Sequence, residues 1–237
     1  MFKIALNAGH YLKTAGKRCL KSLDPNETRE WVLNNRICDL IEQKLKAYEG
    51  YSLLRVDDTT GATDVSLANR VKKANEWGAN VFLSIHHNAG IYGGKGGGVV
   101  AYVYTKVCEA TKAWQKALYD AIIKNTGLKG NRSTPLASAN LFECRKTTMP
   151  CVLMECGFMD SATDVPVILT DKYADQVASA YVEVIVAKGK LKKKVIEEKP
   201  AASTNGYRVQ VGYYNVRENA EAMVKKLKAD GYDAIIV

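Results

Sequence analysis

The sequence predicts an α/β fold: an open, largely parallel sheet flanked by helices, followed by a small βαβ module at the C-terminus. Three observations point there. Through residue 187, short apolar runs bounded by turn residues alternate with segments of helical spacing, the pattern of strands covered by helices. The stretch 188–206, KGKLKKKVIEEKPAASTNG, loses that periodicity and gathers Lys, Pro, Ala, Ser and Gly, as a linker does. Residues 207–237 then read as apolar alternation, helix stripe and apolar run. The expected organisation is one domain over 1–187, a basic linker over 188–206 and the βαβ module over 207–237.

The elements follow in order. Phe2 to Leu6 reads as a strand running into Asn7-Ala8-Gly9-His10. Ile37, Leu40, Ile41 and Leu45 keep helical spacing, with Gly50 as a glycine stop. Leu53 to Val56 is a short strand, and Val65 to Trp77 a second helix with Asp64 as its N-cap. Val81 to Ile85 is an apolar strand ending in His86-His87. The cluster Gly93 to Gly98 lacks G-K-[ST] and precedes a strand, Val99 to Tyr104, so it reads as a turn and not a phosphate loop. Tyr102 and Tyr104 alternate as strand packing does; together with Tyr92 they could instead line a sugar or peptide groove. Ala110 to Asn125 is helical, Cys151 to Met154 is a buried strand ending at Glu155, and Tyr173, Val177, Ala180, Tyr181, Val184 and Ile185 mark a closing helix. In the tail, Val209, Val211 and Tyr213 alternate, Ala220, Met223 and Leu227 make a helix stripe, and Gly231 ends it.

Composition narrows the setting. With 47% hydrophobic and 25% charged residues in 237, neither a disordered nor a fibrous chain is expected. No apolar run reaches the about 18 residues a spanning helix needs, so no membrane insertion is expected. The N-terminus, MFKIALNAGHYL, is too short in apolar residues for a signal-peptide core. Synthesis in the cytoplasm without an export signal is the expectation. The six cysteines show no C-x-x-C pair or zinc-ribbon spacing and read as buried reduced thiols. The net charge of +9 favours anionic partners, either nucleic acid or an anionic cell surface. Lys188 to Val237 carries eleven basic and six acidic residues, so five of the nine excess charges lie in linker and tail. No basic recognition helix is evident, and no nucleic-acid partner is expected.

Ligands of open α/β sheets gather beyond the strand ends. Here three apolar strands end in His10, His86 and Glu155, and Glu30 opens the first helix after a long loop. Catalytic zinc takes three protein ligands, commonly His and Glu, and leaves a position open for water, whose pKa it lowers toward about 7. A further carboxylate is needed to move protons. His10, Glu30 and His86 can supply the ligands and Glu155 the base, a division of labour suited to amide hydrolysis.

N-A-G-H at 7–10, R-E-W at 29–31, S-I-H-H-N at 84–88 and M-P-C-V-L-M-E-C-G-F at 149–158 resemble the signature blocks of zinc-dependent N-acetylmuramoyl-L-alanine amidases of the Amidase_3 family, which includes autolysins and phage endolysins. Leu67-Ala68-Asn69-Arg70 and Ala74-Asn75 also resemble the family's helix before the second histidine strand. The resemblance implies cleavage of the amide between the lactyl group of muramic acid and the L-alanine of the peptidoglycan stem peptide. It implies His10, Glu30 and His86 as Zn2+ ligands and Glu155 as the catalytic carboxylate. Asn7 stands where an acid is common, Tyr11 where glycine is common, and His87 where a small residue is usual. Strand alternation points His87 away from His86, so His86 reads as the ligand and His87 as a packed or rim residue. Glu27, one turn earlier, is a rival for Glu30; the R-E-W match and the following apolar spacing favour Glu30. Asn88 and Arg145 are candidate substrate-binding residues, a solvated arginine being the alternative for Arg145.

In the tail, Y-R-V-Q-V-G, E-N-A-E-A-M and G-Y-D-A are similar to the first half of a SPOR domain, a peptidoglycan-binding module. A lone βαβ barely shields its apolar face, so two tails are expected to pair and make a homodimer. The role expected for the whole is a phage or prophage endolysin. The competing readings are a non-catalytic peptidoglycan-binding protein and a zinc peptidase cutting within the stem peptide.

Overall fold

A computed structural model describes residues 1–194 and 209–236. Residues 195–206 of the expected linker, the tail's first positions 207–208 and Val237 lie outside the described residues. The chain divides into two units, Met1–Lys194 and Val195–Val237.

The first unit runs β1 (Phe2–Ala8), α1 (Glu30–Leu45), β2 (Tyr48–Glu49), β3 (Tyr51–Arg55), α2 (Leu67–Trp77), β4 (Val81–Asn88), β5 (Val99–Val103), α3 (Glu109–Thr126), β6 (Leu136–Ser138), α4 (Phe142–Lys146), β7 (Cys151–Phe158), α5 (Val165–Ile168), α6 (Asp171–Gly189) and β8 (Lys192–Lys193). Six strands form one sheet in the order β3-β1-β4-β7-β5-β6. β3, β1, β4 and β7 run parallel, so their C-terminal ends open on one edge. β5 is antiparallel to β7, and β6 is parallel to β5. β1 and β4 are covered on both faces, which is why they read as continuous apolar runs.

Alternation assigns the faces. Ile4, Leu6, Leu83, Ile85, Val152 and Met154 join α1, α3 and α6 in the larger core cluster. Ala5, Phe82, Cys151 and Leu153 join Ala74 of α2 and Cys144 of α4 in a smaller one. His86, Ser84 and Asn7 follow the register of the smaller face; His87 follows the larger.

Several boundaries differ from expectation for local reasons. α1 stops at Leu45, with Lys46 capping it, and Gly50, at φ 88°, turns β2 into β3 instead. The N-cap of α2 is Ser66, whose Oγ accepts the Asn69 N–H at 3.2 Å; Asp64 lies too far upstream to do so. β4 and β7 continue past Ile85 and Met154, so His86 and Glu155 sit within strands as Cα partners. The short elements β6, α4 and α5 carry too few residues to show a period. The first residues of the segment expected as linker are ordered within the first unit: α6 reaches Gly189, Leu191 is buried, and Lys192-Lys193 pair with Tyr48-Glu49. All six cysteines are free, and five are buried as expected; Cys108 is the exception, exposed at the start of α3.

The second unit contributes α7 (Arg217–Ala229), with the flanking segments 209–214 and 232–236 irregular. Val209, Val211, Tyr213, Tyr232, Ile235 and Ile236 are exposed. A strand needs a partner backbone to satisfy its N–H and C=O groups, and these segments have no ladder among the described residues. No helix among the described residues is long and apolar enough to cross a membrane.

Candidate active site

The open edge of the parallel strands gathers the chemistry. β1 ends at Ala8 and delivers Gly9-His10, with His10 in the left-handed region at φ 66°. That conformation is uncommon outside glycine, and α2 holds it in place. Arg70 donates through Nη2 to the His10 carbonyl (2.8 Å) and through Nη1 to the Ala8 carbonyl (2.6 Å) and Asn7 Oδ1 (2.7 Å). Glu30 opens α1 and is fully buried. Its N–H donates to the Lys17 carbonyl at 3.1 Å, tying the helix start to the preceding loop.

His10, Glu30 and His86 converge. Glu30 Oε2 lies 3.3 Å from His10 Nε2, and Glu30 Oε1 lies 3.1 Å from His86 Nδ1. The two imidazoles meet edge to face, with centroids 5.0 Å apart. One ligand atom from each residue falls within 4.8 Å of the others. Lys17 Nζ stands 3.4 Å from Glu30 Oε2, yet that buried oxygen accepts no directed hydrogen bond. A buried carboxylate flanked by two imidazoles, with one oxygen free of hydrogen bonds among the described residues, fits a cation, and an N,O,N donor set fits zinc. Burial pushes the Glu30 carboxyl up, but its contacts with His10 and His86 outweigh this and hold it well below the usual range. Burial pushes His86 down, and the Glu30 carboxylate more than reverses it, to about 8.

Glu155, the cross-strand partner of His86, has a buried Oε2 without a hydrogen-bond partner among the described residues. Burial pushes its carboxyl up to about 7, against the pull of the His86 charge. Such a group takes and returns a proton near neutrality. His87 lies on the other face, buried, with Nδ1 2.8 Å from Asn34 Oδ1, and burial pushes it down to about 3. It is a packed neutral residue, outside the cluster.

The remaining candidates separate. Glu27 pairs with Arg18 (3.0 Å) and Lys21 (3.9 Å) and is not part of the His10–Glu30–His86 group. Asn88 ends β4, and its Oδ1 accepts the Ala89 N–H at 2.9 Å. Arg145 is exposed on α4, bonded to Asn140 Oδ1 at 2.8 Å and lying over the Phe142 ring. Tyr102 and Tyr104 pack against the smaller core cluster, whereas Tyr92 is 89% exposed. The glycine-rich turn is pinned from β7's far end: Asp160 Oδ2 accepts the N–H groups of Gly90, Ile91 and Tyr92, each at 2.8 Å, and Asp164 Oδ2 that of Gly98 at 2.7 Å.

Sequence reasoning missed a buried polar group beneath the cluster. Asn7 Nδ2 donates to Ser84 Oγ and to Glu143 Oε1, each at 2.9 Å, and Ser84 Oγ donates to Glu143 Oε2 at 3.3 Å. Polar residues at Asn7 and Ser84, within otherwise apolar strands, were the available signal. Glu143, on a five-residue helix, offered none.

A paired imidazole–carboxylate cluster beside a carboxyl that titrates near neutrality is the equipment of a hydrolase. Residues 4–187 match the N-acetylmuramoyl-L-alanine amidase family, and residues 171–237 match the SPOR domain. The chain belongs to the N-acetylmuramoyl-L-alanine amidase family and is an enzyme of that class. The two matches overlap at 171–187, which the structure places in α6, packed in the first unit's core. The sporulation-specific N-acetylmuramoyl-L-alanine amidase of Bacillus subtilis (strain 168) is 31% identical over 192 residues, 80% of this chain and 68% of that protein. The endolysin of Bacillus phage SPP1 is 37% identical over 128 residues, 54% of this chain and 47% of that protein. The catalytic domain of CwlV, an N-acetylmuramoyl-L-alanine amidase from Bacillus (Paenibacillus) polymyxa var. colistinus, superimposes with a TM-score of 0.70 at 25% identity, covering 81% of this chain and 100% of that one.

Proposed function

We propose that the chain is a zinc-dependent amidase of peptidoglycan, cutting between the lactyl group of muramic acid and the L-alanine of the stem peptide. The observation that carries this is the convergence of His10, Glu30 and His86 within 4.8 Å, with Glu155 in register beside His86. His10, Glu30 and His86 would hold the ion. Bound zinc supplies Lewis acidity, polarising a carbonyl and making water a competent nucleophile near pH 7. Glu155 takes the proton of the attacking water and returns it to the leaving amide nitrogen, a role worth about 10²- to 10⁴-fold in rate. Asn88 and Arg145 are assigned to substrate.

The proposed role is that of a phage or prophage endolysin, a reading supported by the similarity to the SPP1 endolysin over 128 residues. The proposed organisation keeps catalysis within 1–187, a basic linker after it and a SPOR-like tail from 207 that engages peptidoglycan. The exposed apolar side chains beside α7 support pairing of two tails in a homodimer. The test is metal analysis of the isolated chain paired with digestion of purified cell walls. One zinc per chain and new L-alanine amino termini are expected; wall binding without new termini contradicts the reading.

A further inference from the structure

β4 sets His86 between two carboxylates. Nδ1 lies 3.1 Å from Glu30 Oε1, on the side of the ligand cluster. Nε2 lies 3.9 Å from Glu143 Oε2, is buried, and has no hydrogen-bond partner among the described residues. Glu143 is itself buried. A carboxylate in that position is costly unless its oxygens are satisfied. Asn7 and Ser84 donate to those oxygens, and Arg70 supplies positive charge through Asn7 Oδ1. Three side chains, from β1, α2 and β4, thus surround the Glu143 carboxyl beneath one imidazole.

We propose that Glu143 is a positioning residue for His86: its carboxyl group faces Nε2 and favours the tautomer that keeps its proton there, so that Nδ1 is the nitrogen presented to the metal ion. Metal-ligating histidines are commonly oriented in this way, the carboxylate fixing the tautomer and raising ligand basicity. The inference rests on the reading of His86 as a ligand. A Glu143 that served only the Asn7–Ser84–Arg70 group would leave metal binding untouched.

The full chain, stripped of metal, is titrated with Zn2+ and then with Co2+, alongside Glu143→Gln. Glutamine keeps the size and one acceptor oxygen for Asn7, but can turn an N–H donor toward Nε2. The expected result is zinc affinity lower by about 10- to 100-fold and an altered visible spectrum of the cobalt form. Nitrogen NMR of the zinc-loaded parent is expected to show His86 protonated at Nε2, a readout that stands even if the variant does not fold. A parent that binds one zinc while Glu143→Gln keeps the same affinity and cobalt spectrum overturns this inference alone, as does a parent protonated at Nδ1. A parent that takes up no zinc overturns the ligand reading and this inference with it.

Discussion

Gly9 and His86 share adjoining space with no room for a Cβ on the first: a methyl group at residue 9 would overlap the His86 imidazole. The close approach lets the His86 imidazole lie against the backbone that carries His10. Gly9→Ala is therefore expected to displace His86, cost about 1–3 kcal/mol from overpacking and weaken metal binding. Chemical denaturation and a zinc titration check both effects; an unchanged zinc affinity contradicts the packing described.

Glu155 and His86 are partners in register, and the roles proposed for them differ. Glu155→Gln is expected to cut turnover by about 10²-fold or more while leaving bound metal in place. His86→Ala is expected to lose the metal itself. Rate assays on solubilised wall fragments, run beside metal analysis, separate the two. Substantial activity in Glu155→Gln contradicts its assigned role.

The pH dependence of the metal-free chain has a definite sign. The fold raises His86 from 6.5 to about 8, so its stabilising contribution is complete below 6.5 and is lost as pH rises through about 8. Glu155, raised to about 7, adds to that loss below neutrality. His87, depressed to about 3, acts oppositely but only below its ordinary value of 6.5. Calorimetry in chelator is expected to show the thermal midpoint falling from pH 6.5 to 8, while zinc affinity rises as His86 sheds its proton. A rising midpoint contradicts the His86–Glu30 pairing.

The tail carries Tyr232, Ile235 and Ile236 exposed beside a helix with no buried residue. Light scattering is expected to report twice the chain mass of 26.1 kDa, and Ile235→Asp to return it to that mass. A parent that stays monomeric at micromolar concentration contradicts the dimer.

Much of this was legible because covered parallel strands announce themselves. β1, β4 and β7 appear as apolar runs, and the groups that follow or end them, His10, His86 and Glu155, stand out against that background. Alternation alone separated His86 from His87. The antiparallel run of β5 was hidden, since strand direction leaves no trace in composition. Ser66 displaced Asp64 as a cap because one hydroxyl in reach of the Asn69 N–H outweighs a carboxylate two residues upstream. Glu143 was invisible because its meaning comes from Asn7, Ser84 and His86, all more than fifty residues away along the chain.

The most direct test is mass spectrometry of peptidoglycan fragments after digestion by the full chain, with and without a chelator. The expected products are stem peptides bearing free L-alanine amino termini, absent in chelator and restored by added zinc. Shortened peptides still joined to muramic acid through L-alanine, or cleavage that chelation leaves untouched, would contradict the account.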